Sequence, residues 1–294
     1  MNIAGRVAFI STLSVLTVSA TVESFAGFER RYAGARSLGA AGALSAFGED
    51  AWSFFSNPAR SASIAELGLF YVPSTFGLQE VKSMGLAYRD HMLGVDFSGA
   101  VQSFGCEIYR ETVVSAGVSL PLSDFLFIGS NINLNHLFIE QYGTDMAVSL
   151  DVGSRMFLSE HFALGLCVTN FNSASMTLSN DRLPQSLAGG IGYVSDELSV
   201  GIEYFKEIGF PSATRIAAEY SPAAFVTLRA GSASGTSSFN AGFSVKISPF
   251  KIEYGAAFHQ VLGTTHSLGV SIELGGGKTE FENIQRYRES LRRR

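Results

Sequence analysis

Phe239-Asn240-Ala241-Gly242-Phe243-Ser244-Val245-Lys246-Ile247 puts every large apolar side chain at an odd position and every polar one, with Gly242, at an even position. Strict alternation is the period of a β-strand with two unlike faces. Stretches on either side repeat it. Ile252, Tyr254 and Phe258 alternate with Lys251, Glu253 and His259; Leu268, Val270, Ile272 and Leu274 alternate with Ser267, Gly269, Ser271 and Glu273. Upstream, Leu198, Val200, Ile202 and Tyr204 share one face, and Ser199, Gly201 and Glu203 the other. Helical spacing is scarce between Ala65 and residue 275.

Extending this period predicts fourteen strands, at 65–73, 81–89, 92–103, 112–121, 125–140, 144–157, 162–172, 185–194, 198–207, 212–221, 225–233, 236–248, 250–261 and 264–275. Turn-forming residues separate them at Arg89-Asp90-His91, Ser123-Asp124, Ser159-Glu160-His161, Ser195-Asp196-Glu197, Ser221-Pro222 and Ser248-Pro249. Counted from the first strand, all of these fall at one end of the molecule. The longest connections, such as 104–111 and 173–184, fall at the other. Short turns at one end, longer loops at the other and an even strand number are the pattern of outer-membrane barrels.

Composition narrows the class. The chain of 294 residues is 46% hydrophobic and only 16% charged, with 2 Cys and a net charge of −5. Soluble domains carry about 25% charged residues. Beyond the first 20 residues no run is apolar enough for a spanning helix, which needs about 20 such residues. Cys106 and Cys167 exclude a disulfide scaffold, and the acidic balance gives no footprint for nucleic acid. At the N-terminus, Arg6, the apolar run Val7–Leu16 and the small residues up to Ala26 read as an export signal over 1–26.

The polar face separates a barrel from a soluble sandwich. Alternation alone fits both, but the export signal, the low charge and the one-sided turns favour a barrel whose apolar face meets lipid. Its lumen then carries Asp96, Asp151, Arg155, Glu203, Arg215, Glu219, Arg229, Lys246, Lys251, Glu253 and Glu273, five positive and six negative charges able to pair across strands. Asp151 and Arg155, four apart on one face, read as a structural ion pair. Asn131, Asn133 and Asn135 add an inward amide ladder. Gly165, Gly201, Gly242 and Gly269 leave space in the lumen.

Ahead of the barrel the chain reads Gly34-Ala35-Arg36-Ser37-Leu38-Gly39-Ala40-Ala41-Gly42-Ala43, then Glu49-Asp50-Ala51-Trp52-Ser53-Phe54-Phe55-Ser56-Asn57-Pro58-Ala59. This resembles the opening of FadL-like outer-membrane barrels, most closely the PorV/PorQ family: a Gly-Ala-Arg start, small residues, an Asp-Ala pair among aromatics and an Asn-Pro-Ala stop. Leu262-Gly263-Thr264-Thr265-His266-Ser267-Leu268 is similar to the segment that opens that family's last strand. Arg60 departs from the pattern, which often has Gly there. The signature residues are Gly34, Arg36, Asp50, Trp52, Asn57 and Pro58. The expected organisation is a signal peptide at 1–26, a plug or lid at 27–64, a transmembrane barrel at 65–275 and a periplasmic tail at 276–294, with both termini periplasmic. Over 278–294 six Lys/Arg and three Glu give +3, with Phe281, Ile284, Tyr287 and Leu291 at helical spacing, a surface for a partner or for anionic headgroups.

Catalytic patterns are missing. The histidines at 91, 136, 161, 259 and 266 have no metal-ligand spacing. No nucleophile elbow occurs, and Gly275-Gly276-Gly277-Lys278 lacks the spacing of a phosphate loop. The expectation is a non-enzymatic protein of the outer membrane that needs no cofactor. The resemblance to PorV/PorQ implies a component of a protein-secretion or surface-attachment apparatus of the type IX kind, with secretion proteins as partners. The wider FadL-like group implies a channel for small hydrophobic or amphipathic solutes.

Overall fold

The computed structural model describes residues 27–29, 32–48, 50–60, 64–92, 94–234 and 238–274. The expected signal peptide and the whole of the expected tail lie outside these residues. Fourteen strands follow in order: β1 Glu66–Val72, β2 Lys82–Met92, β3 Val95–Gly105, β4 Tyr109–Ser123, β5 Leu126–Ile139, β6 Gly143–Phe157, β7 Phe162–Thr169, β8 Ser186–Val194, β9 Leu198–Glu207, β10 Ala213–Ala223, β11 Val226–Ala233, β12 Ser238–Ile247, β13 Phe250–His259 and β14 Gly263–Glu273. Each pairs antiparallel with its sequence neighbours, and β14 pairs with β1 from Glu66↔Glu273 to Tyr71↔Leu268. The sheet is a closed barrel with no free edge, so its backbone groups are paired around the whole ring. Among the described residues no helix is long and apolar enough to cross a membrane.

The two faces divide as the alternation requires. Ile191, Ile202 and Ile216 are cross-strand neighbours on β8, β9 and β10, and all three are exposed outward. Outward aromatics gather toward both rims. Tyr88, Phe97, Phe162, Tyr220 and Phe250 lie toward one end, and Tyr71, Tyr204, Phe239 and Phe258 toward the other. An apolar band between aromatic girdles is the surface a bilayer requires.

Two expected turns are strand instead. Arg89, Asp90 and His91 continue β2, and the chain turns only after Met92. Ser221 and Pro222 lie within β10, where the register shifts between Tyr220 and Ala223; a bulge tolerates proline's missing N–H. The stretch 104–111 is not a long loop, because β3 and β4 run on and leave only 106–108 between them. The longest connection is 170–185. There Asp145 accepts hydrogen bonds from the backbone N–H groups of Leu178 and Ser179, and Met176 and Leu183 are buried against Ala147.

Candidate functional site: the lumen and the segment ahead of the barrel

Several of the inward charges form a connected chain, and others stand in pairs beside it. Arg229 on β11 reaches Glu219 on β10 at 3.0 Å and Glu253 on β13 at 3.2 Å. Lys251 lies 3.7 Å from Glu253 and 3.1 Å from Glu66, and Glu66 meets Arg89 at 3.1 Å. Arg215 pairs with Glu203 at 3.2 Å, and Lys246 with Glu273 at 2.6 Å. Cross-strand pairing expected from the sequence is therefore present, with Glu66 and Arg89 as members it did not name. Asp96 is buried and meets His91. The Asp151 carboxylate accepts hydrogen bonds from Asn133 Nδ2 and the Asn170 N–H, both at 2.9 Å. The Arg155 guanidinium sits over the Phe157 ring at 4.9 Å.

Residues 32–60 lie against this inner face almost all the way round. The segment opens with a short helix, α1 (Gly34–Gly39), which packs on β12, β13 and β14. Inward glycines mark its path. A Cβ on Gly255 would fall on Ala35, on Gly231 on Ala40, on Gly201 on Phe47, on Gly165 on Ser45, on Gly153 on Asn57 and on Gly129 on Pro58. The space that Gly165, Gly201, Gly242 and Gly269 leave is thus taken by the chain itself and is not open lumen. A stripe of glycines along neighbouring strands is the sequence signal of this close approach.

The six signature residues serve this seating. Gly34 has φ +83°, and a Cβ there would strike the Trp52 ring. Trp52 stacks on Phe55 at 6.2 Å and meets Phe70 of β1 edge-on at 4.7 Å. Arg36 makes two hydrogen bonds to Glu219, at 2.6 and 2.7 Å, and lies 3.6 Å from Asp50. Asp50 accepts hydrogen bonds from the Trp52 N–H and the Ser53 hydroxyl. Burial pushes the Asp50 carboxyl up, but Arg36, Lys251, Arg89 and the Trp52 N–H outweigh it and hold the group well below the usual carboxylate range. Asn57 is fully buried. Its Nδ2 donates to the carbonyls of Ser45 and Ser154, and its Oδ1 accepts from the Ala59 N–H ahead of the chain's exit. The departure at Arg60 has a use here. Its guanidinium donates to the carbonyls of Leu44, Phe47, Gly48 and Asn57 and ties the segment to itself.

Beside this packed region, in the half of the lumen nearer the longer connections, is a cavity of about 140 Å³. Phe28, Phe55 and Phe104 line part of it, and Asn133, Asn135 and Ser149 another part. The expected amide ladder is real: the Ser115 hydroxyl donates to Asn133 Oδ1 at 2.7 Å, and Asn135 Nδ2 donates to Ser149 Oγ at 2.9 Å. Among the described residues no group of His, Cys, Asp or Glu is placed to hold a metal ion.

No family model matches the sequence, and no curated protein matches it. Solved structures do resemble it. The Ralstonia pickettii toluene transporter TbuX aligns with a TM-score of 0.62 at 14% identity, over 82% of this chain and 98% of that one. The CymD monoaromatic hydrocarbon channel gives 0.59 at 14% identity, over 82% and 97%. A Pseudomonas aeruginosa FadL homologue gives 0.58 at 12% identity, over 85% and 100%. The likeness carries the wider of the two resemblances and not the PorV/PorQ one: the chain has the fold of the FadL-like fourteen-stranded outer-membrane β-barrels.

Proposed function

We propose that the protein is a non-enzymatic channel of the bacterial outer membrane for small hydrophobic or amphipathic solutes. The observation that carries this reading is the single-ring-sized cavity inside the barrel, bounded by the aromatic residues Phe28, Phe55 and Phe104. Structures similar to this chain are a toluene transporter and a monoaromatic hydrocarbon channel, which supports the same class of solute. On this reading the short turns and both chain termini face the periplasm. Residues 32–60 act as the plug that separates the cavity from that side. The test is uptake of labelled toluene by cells with and without the protein in their outer membrane. Faster uptake is expected, and unchanged uptake at confirmed surface expression removes the reading. Deleting 32–60 should raise ion conductance across a planar bilayer.

A second reading, a PorV/PorQ-type component of a secretion or surface-attachment apparatus, draws support from the fitted lumen. A barrel keyed shut by buried ion pairs and glycine contacts suits a platform as well as a conduit. Co-purification with secretion proteins that is lost on removal of 278–294 would favour it.

A further inference from the structure

We propose that the cavity selects a single-ring aromatic carrying a hydrogen-bond-donating substituent over a bare hydrocarbon; the inference rests on the solute-channel reading and narrows it. Size sets the first limit. The cavity is about 140 Å³, and an apolar cavity of about 150 Å³ accommodates benzene. Wall chemistry sets the second. Phe28, Phe55 from the inner segment and Phe104 from β3 give the cavity an aromatic wall. Asn133, Asn135 and Ser149, from β5 and β6, offer amide and hydroxyl groups on the same cavity, and Glu29, Glu111, Asp151 and Glu207 add carboxylates that accept hydrogen bonds. These are held in place, since Asn133 Nδ2 donates to Asp151 Oδ2 at 2.9 Å and Asn135 Nδ2 to Ser149 Oγ at 2.9 Å.

A wall of this kind is hydrated when empty, because buried polar groups hold water that an apolar cavity does not. A hydrocarbon entering displaces that water and replaces none of its hydrogen bonds, and each polar group left unmatched opposes binding. A hydroxyl or amide on the ring restores the bonds while the ring meets the phenylalanines. Sites built from hydrogen-bonding groups discriminate strongly against the analogue that lacks the partner group.

The experiment titrates the purified full-length protein in detergent with phenol and with toluene. It follows the heat of binding and the emission of Trp52, the chain's single tryptophan, whose ring stacks on Phe55. Phenol should bind about tenfold more tightly than toluene. Asn135→Leu should remove that preference by weakening phenol while toluene is held or improved, and Ser149→Ala should shrink it. The smaller variant keeps the test in force if the larger one does not fold. Toluene binding as tightly as phenol overturns the inference, as does a preference untouched by both variants. In either case cellular toluene uptake can still stand, so the channel reading survives. If neither compound binds and uptake is also absent, both readings fall.

Discussion

The two faces of the barrel wall obey different rules. The outward face is generic: Ile191, Ile202 and Ile216 form a row in which apolar character and position relative to the rim are all that the surroundings demand. The inward face is particular. Gly165 must be glycine because Ser45 sits on it, and Glu219 must be charged because Arg36 and Arg229 both converge on it. One side of each strand answers to a solvent, the other to a single partner, so tolerance to substitution should differ sharply between them.

The largest effect is expected at the charge junction. Glu219→Gln leaves two buried guanidinium groups short of a partner, and breaking a buried ion pair costs about 3–5 kcal/mol. Urea unfolding should shift accordingly, and protease should begin to cut within 32–60; an unshifted midpoint would make the inner ion pairs dispensable. Next comes the lipid face. Ile202→Arg lies midway along β9 and should cost about 2–4 kcal/mol, whereas Ile272→Arg lies next to the short-turn rim and should cost about 0–1 kcal/mol. Equal costs would mean that the outer face has no depth dependence and so no bilayer around it. Smaller again is Gly165→Val, an overpacking substitution of about 1–3 kcal/mol. An outward contrast on the neighbouring strand, Gly189→Ala, should fall within about 0.5 kcal/mol. A reversal of that order would place 32–60 elsewhere.

The smallest effect is with pH. The folded-state pKa of Asp50 is depressed below its ordinary 3.8. Its stabilisation of the inner segment is therefore fully present above about pH 4 and is lost as pH falls further, through the folded-state value. Protease resistance of 32–60 should stay constant from pH 8 to 5 and decline only below that window. A decline near pH 6 would point to a histidine, not to Asp50.

Strand positions were legible because lipid outside and polar contacts inside force a period of two on every strand, and fourteen strands read from that period match the fourteen observed. Turn chemistry was less dependable. Asp90 and Pro222 look like turn residues, but near a hydrated rim a strand tolerates both, Pro222 by sitting in a bulge. The candidate site was half legible. Arg215, Glu203, Arg229 and Glu253 face inward by parity alone, but parity does not say which of them pair. Arg36 was visible as a motif residue, but its partner Glu219 lies 183 positions away, and no local pattern announces so distant a contact. The inward glycines were seen and misread. A missing side chain marks room, and only the fold shows that the room is let to Ser45, Phe47 and Ala40.

The seam between β1 and β14 sets an order of assembly. It joins Glu66 to Glu273, so the ring cannot shut until the last strand has been made and has travelled back to the first. Residues 32–60 precede β1 and end up enclosed by every strand that follows. A chain emerging from its N-terminus therefore presents its filling before its wall. Contacts so far apart in sequence form slowly, so closure of the β1–β14 seam is expected to be the late step. In the closed ring the inward glycines are the points at which the strands meet the segment.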